Sequence, residues 1–253
     1  MKIKDLLEAL QFPEKGSVDK KIFKKAIYEN ADLSKKQAEL IKSEVNDIRW
    51  QYILKPETIN IRKFKDEDFE YEEIQVLSAS LKTSQKVSDI ADIIQRAIPY
   101  PVILFLHNED SVAISVATKR INKADVSKSV IDEAYMTEWI SNIQGGTAKA
   151  FIKELLLEKL SFTNLLEFYS DFADRVKAFC VCEYMKHYKY KDKSTTAKLY
   201  QSYQKIKELE EQKITWRRQI KNEADFARKV NLNVAVKKTN QKIQTYRENL
   251  NLS

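Results

Sequence analysis

The chain is poor in the residues that build loops and reactive centres. Three glycines in 253 residues leave no glycine-rich loop for a phosphate, because backbone approaches an anion closely only where side chains are absent. Nucleotide binding through a Walker or dinucleotide-fold motif is excluded on that ground. Two cysteines, Cys180 and Cys182, are too few for a disulfide framework. On a helix, residues two apart point roughly 200° away from each other, so these thiols do not share a metal ion. The two histidines, His107 and His187, fall on different expected elements. His107 sits in an expected turn, His107-Asn108-Glu109-Asp110, with no nucleophile pairing, so no catalytic residue is assigned. No metal site and no cofactor are expected. No apolar run approaches the roughly 20 residues of a membrane span, and the stretch Met1–Leu6 lacks the apolar core of a signal peptide. The expectation is a soluble, cytoplasmic protein without membrane contact.

Breakers are unevenly spread as well. The last prolines are Pro99 and Pro101, the last glycines are Gly145 and Gly146, and residues 147–253 contain neither. That stretch, rich in Leu, Lys, Glu and Gln, reads as successive helices. Charge is equally lopsided. The chain carries +7 overall, but residues 186–253 hold 17 Lys or Arg against 7 Asp or Glu, a net +10, leaving residues 1–185 at −3. A cationic tail on a mildly acidic body points to an anionic partner for the tail.

The front of the chain predicts three short helices. Residues 3–10 place Leu6, Leu7 and Leu10 on one side; residues 18–29 place Val18, Ile22 and Ala26 together. Ser34 with Gln37 three residues on makes a capping box, opening a helix that carries Ala38, Ile41, Val45 and Ile48. We read these as a helical cap on the following sheet in preference to a winged-helix DNA reader, since no glycine-containing helix-turn-helix joint is present. Ile48–Leu54 and Thr58–Ile61 are expected strands, and the charged residues 63–72 an exposed loop.

The stretch 71–122 supplies the folding centre: a strand over 73–82, a helix with Val87, Ile90, Ala91, Ile94 and Ile98 on one face, the wholly apolar strand Val102–Leu106, and a third strand, Val112–Ala117. The expected fold class is α+β: a mixed sheet of about five strands with N-terminal helices on one face, then an all-helical C-terminal region ending in a coiled-coil-like arm. The expected divisions are 1–144 for the α+β domain, 147–190 for a helical region packed on it, and 196–253 for the basic arm.

In the arm, Leu199, Tyr203, Ile206, Leu209, Trp216, Ile220, Ala227, Val230 and Val234 recur at three or four residues, close to a heptad seam. A bend is expected at Asn231-Leu232-Asn233. Around the seam lie Arg217, Arg218, Lys221, Arg228, Lys229, Lys237 and Lys238, the candidate nucleic-acid or partner-binding residues. Such cations neutralise phosphates, while Tyr184, His187, Tyr188, Tyr190 and Tyr200 offer rings for stacking on bases. The competing reading is a charged coiled coil that docks a protein or a second copy of the chain through the C-terminal helices.

A metal-dependent nuclease of the restriction type is an alternative that the sequence supports poorly. That chemistry sets an acidic residue two positions before a lysine on a central strand. Lys82 is preceded at that offset by Ser80 and Lys119 by Ala117, so both lack the carboxylate. The acidic cluster between Asp66 and Glu73 reads as a solvated face.

The ordered set Ile48-Arg49-Trp50-Gln51-Tyr52, Pro56-Glu57-Thr58-Ile59-Asn60-Ile61, Glu73-Ile74-Gln75-Val76 with Leu81-Lys82, and Ile98-Pro99-Tyr100-Pro101 resembles an uncharacterised bacterial family, domain of unknown function 4391. Lys119-Arg120, Trp139, Asn222-Glu223 and Phe226–Asn233 extend the likeness over nearly the whole chain. None of these pieces is a catalytic signature. The resemblance implies neighbours of helicase, restriction and DNA-methyltransferase genes in anti-phage islands. It implies no activity and no functional residues. The resulting expectation is a non-catalytic accessory subunit binding DNA or a helicase- or methyltransferase-type partner. The alternatives are an atypical nuclease or a pure protein-interaction module.

Overall fold

The computed structural model describes residues 3–251 apart from 32, 126–128 and 186. Helix α1 (Ile3–Leu10) buries Leu6, Leu7 and Leu10 as its leucine spacing predicts. Residues 18–29 do not form one helix. Strand β1 (Ser17–Lys21) pairs with Arg49, Trp50 and Tyr52, and helix α2 (Lys24–Asn30) begins only after it. A backbone ladder along a sheet edge outweighs the weak helical pattern there. Gly16 permits the approach: a Cβ at this position would meet Ile53 O at 2.6 Å.

Helix α3 (Lys35–Glu44) opens on the expected capping box. Gln37 N donates to Ser34 Oγ at 3.3 Å, and Ser34 N donates to Gln37 Oε1 at 3.1 Å. The helix stops at Glu44, so Val45 and Ile48 belong to strand β2 (Val45–Leu54), where their branched side chains fit the pleat. Residues 58–61 do not form the expected strand: Thr58 and Ile59 end a one-turn helix, α4 (Pro56–Ile59), which Asn60 caps. Its proline starts the turn without losing a bond, and Lys55 N donates to Thr58 Oγ1 at 2.9 Å. The expected loop over 63–72 holds a two-stranded ribbon, β3 (Phe64–Lys65) and β4 (Glu70–Tyr71), turned by Asp66, whose Oδ1 accepts from the backbone of Asp68 and Phe69.

The centre follows as predicted: β5 (Ile74–Leu81), α5 (Val87–Ala97), β6 (Val102–His107) and β7 (Val112–Ile121). A further strand, β8 (Ser129–Met136), pairs with β7, so the main sheet has six strands in the order β1-β2-β5-β6-β7-β8. Only β5 and β6 run parallel; the other neighbours are antiparallel. Helices cover both faces of this mixed sheet, not one. Alternation along β5 explains the division. Leu77, Ala79 and Leu81 pack with α2, α3 and α5, while Ile74 and Val76 point to the other face. That second face is closed by α1, by α6 (Gly146–Glu154) and by α7 (Leu165–Val181).

Helix α7 is anchored through its aromatic stripe. The Tyr169 hydroxyl, fully buried, donates to Val102 O at 2.7 Å and accepts from Ala117 N at 2.9 Å, bridging β6 and β7. Helices α8 (Lys193–Asn222) and α9 (Phe226–Asn251) then form an antiparallel hairpin, with Glu210 of the first ion-paired to Arg247 of the second at 2.8 Å. Asp192 starts α8: its Oδ1 accepts from Thr195 N at 2.7 Å. Helix α7 thus ends at Val181 and α8 begins at Lys193, with residues 193–196 as its first turn.

Candidate nucleic-acid interface

The hairpin has two halves with different surroundings. Near its base, Tyr203, Ile206 and Leu209 on α8 and Thr239, Ile243 and Leu250 on α9 are buried. A tyrosine cluster ties this base to the body. Tyr135 meets Tyr200 edge-on at 5.1 Å between ring centroids, Tyr200 lies 5.4 Å from Tyr203, and Tyr203 lies 5.7 Å from Tyr184. The Tyr184 hydroxyl donates to Glu210 at 2.7 Å, and Lys207 pairs with Glu183 at 2.7 Å and Glu138 at 3.3 Å. These contacts correct one expectation. Tyr184 and Tyr200 are packing residues; Tyr188 lies 5.4 Å from Phe151, and the Arg175 guanidinium covers Tyr190 at 4.4 Å. Their rings are committed to the fold and are not a stacking platform for bases. Burial pushes the hydroxyls of Tyr184, Tyr188 and Tyr200 above their ordinary range.

Beyond Glu210 the hairpin leaves the main core: among the described residues none from 211 to 238 packs into it. Between Glu210 and Lys238 no side chain is buried. The 13 residues after Leu209, as far as Asn222, extend this half by about 20 Å at 1.5 Å per residue. The turn is made by Glu223-Ala224-Asp225, not by Asn231-Leu232-Asn233 as expected. Asp225 Oδ1 accepts from Arg228 N at 2.8 Å, an N-cap for α9, and Glu223 Oε1 accepts from Asp225 N at 3.0 Å.

All seven candidate cations lie on this half of the hairpin or at its edge. Arg217, Arg218, Lys221, Arg228, Lys237 and Lys238 are exposed and Lys229 is half-buried. Among the described residues none of the seven forms an ion pair; the arm's pairs use Lys205, Lys207 and Arg247. Residues 213–242 hold nine Lys or Arg against two Asp or Glu, a net +7, and the two acids are those spent on the turn. Arg218, Gln219 and Asn222 of α8 face Arg228 and Asn231 of α9 across an open groove at the tip. Chemically, this is a surface of exposed amides and of cations without ion pairs among the described residues, able to donate to phosphate oxygens.

The moved turn changes which apolar residues meet. Trp216 and Ile220 are half-buried on α8, as the heptad reading expects, but Val230 and Val234 are 44% and 46% exposed and Ala227 is exposed. On α9 the inward line is Leu232, Val236, Thr239 and Ile243 instead. A break at 223–225 resets the helical phase, so a seam extrapolated through it lands on the outside. Phe226, 80% exposed, was missed as a surface residue. The available signal was Asp225, an N-cap residue type standing in a basic stretch.

The lysines weighed for nuclease chemistry have other surroundings. Lys82 is exposed at the end of β5. Lys119 is 3% exposed, and its ammonium donates to Gln95 O at 2.7 Å, Tyr100 O at 2.6 Å and Ile98 O, closing the C-terminal end of α5. Burial lowers the pKa of Lys119, while the three carbonyl acceptors favour its proton. In the acidic run, Asp66 makes the ribbon turn and three others form surface pairs: Lys63 with Glu72, Lys65 with Glu70, Lys123 with Asp68. Among the described residues no three His, Cys, Asp or Glu side chains gather as a metal would require. Both cysteine thiols donate to carbonyls, Cys180 to Met136 at 3.1 Å and Cys182 to Ala178 at 3.4 Å, and burial pushes each up to about 12.

A family model described as a domain of unknown function, DUF4391, matches residues 10–243. The chain belongs to the DUF4391 family. The match runs from the end of α1 through the sheet, α7 and the hairpin as far as Ile243, so the cationic tip is part of the DUF4391 domain. No curated protein and no solved structure matches this DUF4391 chain. Among its described residues no helix is long and apolar enough to cross a membrane.

Proposed function

We propose that this DUF4391 chain is a non-catalytic accessory subunit that holds DNA through the distal half of its helical hairpin. The observation that carries the reading is the set of tip cations that form no ion pair among the described residues, with Glu223 and Asp225 occupied by the turn. A cation held by a carboxylate must break that pair before it meets a phosphate; these side chains have no such pair to break. Each phosphate they neutralise releases a condensed counterion, which supplies affinity without sequence readout. The tyrosine clamp at the base would transmit the grip to the body. The DNA-processing partner is of the helicase or methyltransferase kind, and the setting is defence against phage; the sequence likeness motivates both.

The test is a gel shift of a fluorescent duplex at low salt with the intact chain. Reversing Arg217, Arg218, Lys221 and Arg228 to glutamate is expected to abolish the shift while the circular dichroism spectrum is unchanged. Absence of a shift with the unmodified chain at low salt would end the reading.

A further inference from the structure

Phe226, Val230 and Val234 follow one another at i, i+4 spacing and so form one line along α9. They are 80%, 44% and 46% exposed. The residues that α9 turns toward α8 lie on another line, through Leu232, Val236, Thr239 and Ile243. The exposed line therefore faces away from the hairpin's own seam. It ends on Lys237 and Lys238, three and four residues past Val234, both exposed. No Asp or Glu occurs between Phe226 and Arg247.

An apolar line at helical spacing is the complement of a second helix carrying apolar residues at the same spacing. The charge around it selects among occupants. A second copy of α9 laid on the first would bring two cationic stretches together, with no acidic side chain between Phe226 and Arg247 on either to offset them. A DNA duplex would satisfy the lysines and leave Val230 and Val234 in water. A helix with apolar residues on one face and carboxylates beside them satisfies both features. We propose that this line seats an acidic amphipathic helix of a partner protein, its apolar side chains covering Phe226, Val230 and Val234 and its Asp or Glu side chains meeting Lys237 and Lys238. This goes beyond DNA holding: it is the second attachment that an adaptor requires, on a different line from the groove between Arg218 and Arg228.

The experiment uses the full chain and two synthetic helical peptides, one with leucines at i, i+4 flanked by glutamates and a twin with lysines in place of the glutamates. Binding is read by fluorescence anisotropy. The acidic peptide is expected to bind and the lysine twin to fail. The triple variant Phe226→Ser, Val230→Ser, Val234→Ser should weaken the acidic peptide by about tenfold or more, and Lys237→Glu with Lys238→Glu should exchange the preference between the peptides. All five side chains are exposed, and circular dichroism checks that each variant is folded. The triple variant should still shift duplex DNA, which separates this proposal from the DNA reading. Failure of the acidic peptide to bind, equal binding of the lysine twin, or an unaffected triple variant overturns the proposal. So does loss of the DNA shift in the triple variant, which would assign the line to nucleic acid. A dimer seen by light scattering and dissolved by the triple variant overturns it in favour of a second copy.

Discussion

Replacing Arg218 and Arg228 by glutamine is expected to flatten the salt dependence of DNA binding without changing the fold. Both side chains line the groove at the hairpin tip and neither forms an ion pair among the described residues. Their loss therefore breaks no internal pair and should leave the melting temperature alone. The seven candidate cations do not all reach one duplex, because consecutive residues on a helix, such as Arg217 and Arg218, diverge by about 100°. If about four of them meet phosphates, the slope of log K against log salt is about −3.6, at roughly 0.9 per phosphate. Raising salt from about 50 to about 200 mM would then weaken binding about 150-fold. Neutralising the two groove arginines should bring the slope to about −1.8 and the loss to about 12-fold over the same range. Fluorescence anisotropy across a potassium chloride series measures the slope directly. Lys35→Gln with Lys36→Gln, exposed on α3 of the body, serves as the control and should leave the slope unchanged. An equal slope in the groove variant and the unmodified chain, or an equal drop in the control, would refute the assignment of phosphate contacts to the tip.

Four further outcomes test the fold that carries the hairpin, each by urea denaturation. Lys119→Met leaves the carbonyls of Gln95, Ile98 and Tyr100 without their donor and should cost about 3 kcal/mol. The same lysine gives a pH test. If burial wins and its folded-state pKa lies near 7, the unfolded chain binds more protons above that pH. Stability would then rise from about pH 7 toward the ordinary lysine value. With three carbonyls holding the proton we expect no lysine-dependent rise between about pH 7 and 9, read as the difference between the parent and Lys119→Met. Tyr169→Phe removes the hydroxyl that joins Val102 O and Ala117 N and should cost about 1–3 kcal/mol. Gly16→Ala drives a Cβ onto Ile53 O; backbone in a paired strand cannot yield, so a loss of about 1–3 kcal/mol is expected.

Short-range pattern was sufficient for several elements. The leucine triplet of α1, the Ser34–Gln37 capping box, the apolar face of α5 and the uniformly apolar β6 are each decided within one or two turns of chain. They stand in the structure where the sequence places them. The same holds for the segregation of positive charge, which is a property of composition. The candidate cations could therefore be named without coordinates; that they have no carboxylate partners could not. Ion pairs depend on residues brought together from different elements, such as Arg247 with Glu210.

The failures share one cause, which is competition decided at long range. Strand β1 and the ribbon of β3 and β4 exist because distant or turned backbone offers hydrogen bonds that their own side chains do not advertise. Val45 and Ile48 fit a helical stripe on paper, but pairing with β5 draws them into the sheet. The outward position of Val230 and Val234 follows from a turn three residues long, and one change of helical phase exchanged the inside of α9 for its outside. The sequence by itself determined that the stretch beyond residue 147 is helical and where the cations lie. Tertiary structure alone decided that Lys119 closes a helix and that the tyrosines clamp a hairpin. It also left an apolar line facing water, because which face of an element is buried depends on what packs against it, and that neighbour is rarely near in sequence.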